Sequence, residues 1–121
     1  MTGNIIPKGA LSFEEALEIY GEITEKTDEN SEDGAFLLHN LKRSAARYSR
    51  FRTEWYLKTQ EERVRDDGDR KSAHDAFISA VNMMARYLDA EHGWRERLGN
   101  DRKRIGDFAA YISLFSALDA R

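Results

Sequence analysis

Arg43, Arg47 and Arg50 recur at intervals of four and three residues. On a helix that spacing stacks three guanidinium groups along one face. A guanidinium is planar, permanently charged and bidentate, so such a stripe suits phosphate oxygens, as in nucleic-acid binding. Glu14, Glu18, Glu22 and Glu25 repeat with helical spacing too, and Glu29 continues them. A stripe of carboxylates presents a surface that could steer and hold a basic protein partner. The two signs are segregated along the chain: residues 14–33 carry nine acids and one base, Lys26, whereas residues 42–65 carry eight bases and three acids. Two such faces on antiparallel neighbouring helices would partly pair with each other.

Smaller constellations stand beside these stripes. Arg70 and His74 are one turn apart on a stretch whose apolar positions include Ile78, Val81 and Ala85. They read as a buried polar pair, the histidine hydrogen-bonded inside the fold or held ready for proton chemistry. Arg52 falls inside the apolar stripe of its own segment, so it requires a carboxylate or carbonyl partner. Arg86 and His92 enclose Tyr-Leu-Asp-Ala-Glu. Asp89-Ala-Glu-His92 comes nearest to a carboxylate–histidine metal motif, but it occurs once, and His39 has no neighbour at ligand spacing. The acidic runs DENSEDG and RDDGD do not continue with the spacing of a calcium loop. With no glycine-rich phosphate loop, nucleophile elbow or H-E-x-x-H, neither metal nor cofactor is expected.

These residues must be positioned by a chain of 121 residues, a length that suits one domain. It contains no cysteine, so disulfides and thiolate metal sites are excluded. Its net charge is −3, one-third of its residues are charged, and 11% are aromatic. That mixture describes charged helix surfaces around a core rather than disorder. No apolar run reaches the ~20 residues needed to span a bilayer, and the first residues lack the pattern of a secretory signal. A cytoplasmic location is the resulting expectation.

The periodicity predicts an all-α chain: an irregular N-terminal arm over residues 1–11, then one helical-bundle domain over 12–121. Ser12 and Glu15 form a capping-box pattern opening a helix over about 13–27, with Phe13, Ala16, Leu17, Tyr20 and Ile23 inward. A second helix is predicted from about Ala35 to Leu57, burying Leu37, Leu41, Tyr48, Phe51 and Trp55. Thr59 and Glu62 repeat the capping pattern, so a short helical turn is expected near 59–65, ended by Asp66-Asp67-Gly68-Asp69. A third helix is predicted from Asp69 or Arg70 to Gly93, with Ala73, Phe77, Ala80, Val81, Met84 and Leu88 inside. Residues 94–99 read as a connection anchored by Trp94, and Asn100 or Asp101 caps the last helix.

That last helix is unusual. Between Ile105 and Leu118 its only charge is Asp107. Ile105, Phe108, Ile112 and Phe115 share one side, while Gly106, Ala110, Ser113 and Ala117 form a stripe of small residues on another. A helix apolar on most of its circumference needs cover on more than one side. It is therefore expected at the centre of a compact bundle of four main helices plus a short connecting turn, or at a homodimer interface through the small-residue stripe.

Arg86 and His92 fit R-x(5)-H, which resembles the R-x(4–6)-H motif of the HEPN family of small helical ribonucleases. That resemblance implies RNA cleavage at a dimer interface, with Arg86 and His92 as the catalytic pair. A broader stretch is similar to a family of small bacterial all-helical proteins. It comprises Arg70, His74, Asn82, Arg86 and Tyr87, then Leu98-Gly99 and the run Asp101-Arg-Lys-Arg-Ile-Gly-Asp-Phe-Ala109. The similarity implies a helical fold and a bacterial or phage origin, and brings no activity. Taken together, the residues point first to a non-enzymatic protein-interaction module, a regulator or inhibitor using the acidic face. Nucleic-acid binding through Arg43, Arg47 and Arg50 is the alternative, and HEPN-like cleavage a further one.

Overall fold

A computed structural model describes residues 11–119. Those residues form five helices and no strand: α1 (Phe13–Lys26), α2 (Glu32–Trp55), α3 (Gln60–Tyr87), α4 (Trp94–Leu98) and α5 (Arg102–Asp119). Four are long and α4 is a short connector, so the chain is an all-α bundle. The expected arm over 1–11 lies outside the described residues except for Leu11. That residue is buried, and its N–H donates to Asp107 Oδ2 at 3.3 Å.

α1 starts where the sequence predicts, with Ser12 Oγ accepting from the Glu15 N–H. α2 begins earlier than Ala35, because Ser31 Oγ accepts from the Gly34 N–H at 2.9 Å and so caps Glu32 as the first residue. Gly34 is also required by space: a Cβ there would collide with the Asp28 carbonyl.

α3 differs most from expectation. The predicted break at residues 66–69 does not occur, and one helix runs from Gln60 to Tyr87. Thr59 and Glu62 make the full capping box at its start. The aspartates that should have competed with the backbone are engaged elsewhere: Asp66 with Lys58 and Arg65, Asp67 with Arg70. Gly68 costs such a helix about 1 kcal/mol, less than the penalty of nucleating a second helix behind it. The end of α3 also falls short of Gly93. Asp89 takes the left-handed conformation (φ 54°). Its N–H donates to the Arg86 carbonyl at 3.2 Å, and the Ala90 N–H donates to the Ala85 carbonyl at 2.8 Å. This is a Schellman stop with aspartate in the position glycine usually takes.

α2 and α3 form a helical hairpin, and α5 lies against α2 while also touching α1 and α3. The core is built by Ile19 and Ile23 of α1, Leu41 of α2, Phe77 and Met84 of α3, Trp94 and Leu98 of α4, and Ile105, Phe108 and Ile112 of α5. α5 is thus central on one side, but Leu114 and Leu118 stay about half exposed. Burial stops abruptly along the hairpin: from Ser49 to Ser72 no residue is buried. Tyr56 (85%), Leu57 (84%) and Val64 (70%) are instead open to solvent at its tip. Polar contacts hold this arm in place of a core: Lys58–Asp66 at 2.7 Å, the Arg63 Nε donating to the Trp55 carbonyl, and cations over the rings of Phe51 and Trp55.

Candidate functional site

Arg43, Arg47 and Arg50 project from the outer face of α2, opposite Leu41, Ala45 and Tyr48. They edge a groove of about 370 Å³ that reaches Ala76 of α3. Among the described residues none of the three has an ion-pair partner; Arg47 alone has a ring contact, its guanidinium lying 5.9 Å from the Phe51 centroid. At 1.5 Å per residue the stripe is about 10 Å long, comparable with the rise of three successive nucleotides on one strand.

The acidic stripe of α1 does not neutralise that face. Within the stripe Glu18 pairs with Arg97 at 2.8 Å and Glu22 takes Lys26 on its own helix, while Glu15, beside the stripe, pairs with Arg104 at 3.2 Å. Glu14 and Glu25 remain exposed at either end. The predicted pairing of the two stripes is therefore replaced by pairing of α1 with α4 and α5.

At the inner side of the arm a cleft of about 730 Å³ opens where the core ends. Tyr48, Arg52 and Trp55 contribute from α2, Arg63 and Arg70 from α3, Arg102 and Lys103 from α5. Arg52 finds its carboxylate in Asp107, at 3.3 Å. Arg70 lies 5.4 Å from the Trp55 centroid and pairs with Asp67 at 3.0 Å. His74, one turn further along, stands edge-on to Tyr48 at 5.2 Å, with Nδ1 3.3 Å from Asp75 Oδ1. Arg70 and His74 thus share a face but serve different neighbours. A ladder of cations and rings joins the cleft to the outer stripe: Arg47 over Phe51, Lys58 over both Phe51 and Trp55, Arg70 over Trp55. Near its tip, hydrogen bonds from Arg65 and then Lys58 hold the Asp66 carboxyl well below the usual carboxylate range.

Arg86 is exposed in the last turn of α3, and His92 is nearly fully exposed, with Nδ1 3.5 Å from Glu96. Among the described residues no hydrogen bond or ion pair joins them, and neither lines the outer groove of α2 or the cleft at the arm. Gly106 of the small-residue stripe is buried under the Arg52 guanidinium, Ser113 is half-buried, and Ala110 and Ala117 are exposed. Among the described residues no group of three His, Asp or Glu side chains could hold a metal ion, and no helix is long and apolar enough to cross a membrane.

Two features escaped sequence reasoning. Arg95 is half-buried without a carboxylate, donating instead to Asn82 Oδ1, the Gly99 carbonyl and Asn100 Oδ1 at 2.6–2.7 Å. Burial pushes its pKa down, and it ties α4 to α3. Arg63 and Arg102 enter the cleft from segments that, read separately, carry only ordinary surface charge. Compared with models of known protein families, with curated proteins and with solved structures, the chain matches none. Neither resemblance noted in the sequence is therefore accompanied by a family match.

Proposed function

We propose that this chain is a non-enzymatic binding protein for phosphate-bearing polymers, nucleic acid foremost, which it grips with the outer face of α2. One observation carries this reading: Arg43, Arg47 and Arg50 share an exposed face and a groove with no acid paired to them. The acidic stripe, by contrast, spends Glu18 and Glu22 on internal ion pairs. Guanidinium groups left without carboxylates are available to phosphate oxygens. The net charge of −3 does not oppose this, because screening confines the interaction to within about 10 Å of the face at 0.1 M salt.

Fluorescence anisotropy with a labelled single-stranded and a labelled duplex oligonucleotide tests the proposal. The triple variant Arg43→Ala, Arg47→Ala, Arg50→Ala should lose at least tenfold in affinity with its helical circular dichroism intact. Equal binding by the triple variant and the native protein would overturn it.

A second reading, a protein-interaction module, draws support from a different surface. Phe13, Leu17, Leu114 and Leu118 are about half exposed on the neighbouring helices α1 and α5, with Glu14 and Glu25 at the two ends of α1. Ala110 and Ala117 add small exposed positions on α5, where a partner or a second copy could approach closely. A native molar mass in solution of twice the chain mass, reduced to one on Leu114→Glu and Leu118→Glu, would favour the homodimer form of this reading.

A further inference from the structure

The cleft between the arm and the start of α5 is separate from the outer α2 face and has its own electrostatic imbalance. Arg52, Arg63, Arg70, Arg102 and Lys103 converge on it. Three carboxylates answer them: Asp67 and Asp101 in the wall, and Asp107 behind. Asp67 is taken by Arg70 at 3.0 Å, and Asp107 is shared between Arg52 at 3.3 Å and Lys103 at 3.8 Å. Asp101 accepts from the Lys103 backbone N–H. Arg102 has no ion pair among the described residues. Moreover, the first turn of α5 contains no acid, although that end of a helix already carries partial positive charge and prefers anions. Of the three successive cations there, Lys103 reaches Asp107 and Arg104 pairs with Glu15, which leaves Arg102 at the helix start available to an anion.

The other walls specify what accompanies the charge. Tyr56 is 85% exposed at the mouth, a ring free for stacking. Trp55 is fixed in the wall by Arg70 and Lys58. A volume of about 730 Å³ falls within the range of small-molecule sites, roughly 300–1,000 Å³.

We propose that this cleft binds a nucleoside phosphate, with Arg102, Lys103 and Arg63 on the phosphate and Tyr56 against the base. The shared chemistry is a phosphate next to a heteroaromatic ring, supplied either by a free nucleotide or by the phosphorylated end of a strand. Base–aromatic stacking and charge-assisted hydrogen bonds to arginine are the interactions such a ligand would make.

The two tryptophans make the test direct. Trp94 is 1% exposed in the core, so a change in emission on adding ligand reports on Trp55. Adenosine monophosphate should quench that emission saturably, inorganic phosphate should compete, and adenosine should not saturate. The exposed pair Arg102→Gln, Lys103→Gln should weaken binding at least tenfold with the fold intact, whereas Arg43→Ala, Arg47→Ala, Arg50→Ala should leave it unchanged. Tighter binding of a 5′-phosphorylated trinucleotide than of the mononucleotide would assign the strand end as the source; the reverse order would assign the free nucleotide. Absence of saturable quenching by either into the millimolar range, or equal quenching in the Gln variant, would overturn the proposal. Neither failure would bear on strand binding at the outer face.

Discussion

Asp107, the lone charge between Ile105 and Leu118, collects three donors: Arg52, Lys103 and the Leu11 N–H. Sequence reasoning foresaw that Arg52 would need such a partner but had no means of naming it, since the two residues lie 55 positions apart. Gly106 beside it was read as part of a contact stripe, whereas it makes room for the Arg52 guanidinium. A Cβ at 106 would sit 2.7 Å from Arg52 Cζ. Glycine to alanine inside a helix ordinarily gains about 0.8–1 kcal/mol. Here, displacement of Arg52 from Asp107 offsets that gain. Gly106→Ala should be close to neutral in the native background and stabilise Arg52→Ala by about 1 kcal/mol, a coupling that a double-mutant cycle in denaturant resolves. The same gain in both backgrounds would show that Arg52 does not occupy that space.

At the scale of elements, the long amphipathic segments were legible, although Phe13 and Leu17 of α1, expected inward, are about half exposed. The apolar positions predicted for α3 and α5 are buried with one exception, Leu88, which is half-buried. The illegible part was the hairpin arm, where helix persists without a hydrophobic face to announce it. Asp66-Asp67-Gly68-Asp69 has the composition of a turn, and only cations at Lys58, Arg65 and Arg70 convert its first two aspartates into helix supports. That gives the arm a pH signature. The folded-state pKa of Asp66 lies below its ordinary 3.8, so its contribution is complete above that value and is lost as the pH falls through the depressed one. Amide protection across residues 60–68 should therefore be lower in Asp66→Asn than in the native protein at neutral pH. The difference should close only below the ordinary carboxylate range. A difference that closes at mildly acidic pH, or none at neutral pH, would remove Asp66 from this role.

Across the whole molecule, the segregation of charge was plain from the sequence, but which sign remains available was not. The deciding partners, Arg97 and Arg104, come from segments 79 and 89 residues away from Glu18 and Glu15, the glutamates they pair with. They pair Glu18 of the acidic stripe and its neighbour Glu15 with α4 and α5, and the basic stripe of α2 is left without such pairs. The cleft was hidden for the same reason, being assembled from three helices whose individual charges look unexceptional.

The salt dependence of strand binding measures that free stripe most directly. Three phosphate contacts imply a slope of log Kobs against log salt of about −2.7 on duplex DNA and about −2.1 on a single strand. Each of Arg43→Ala, Arg47→Ala and Arg50→Ala should flatten it by about 0.7–0.9. A slope near zero, or one that none of the three substitutions changes, would contradict the account.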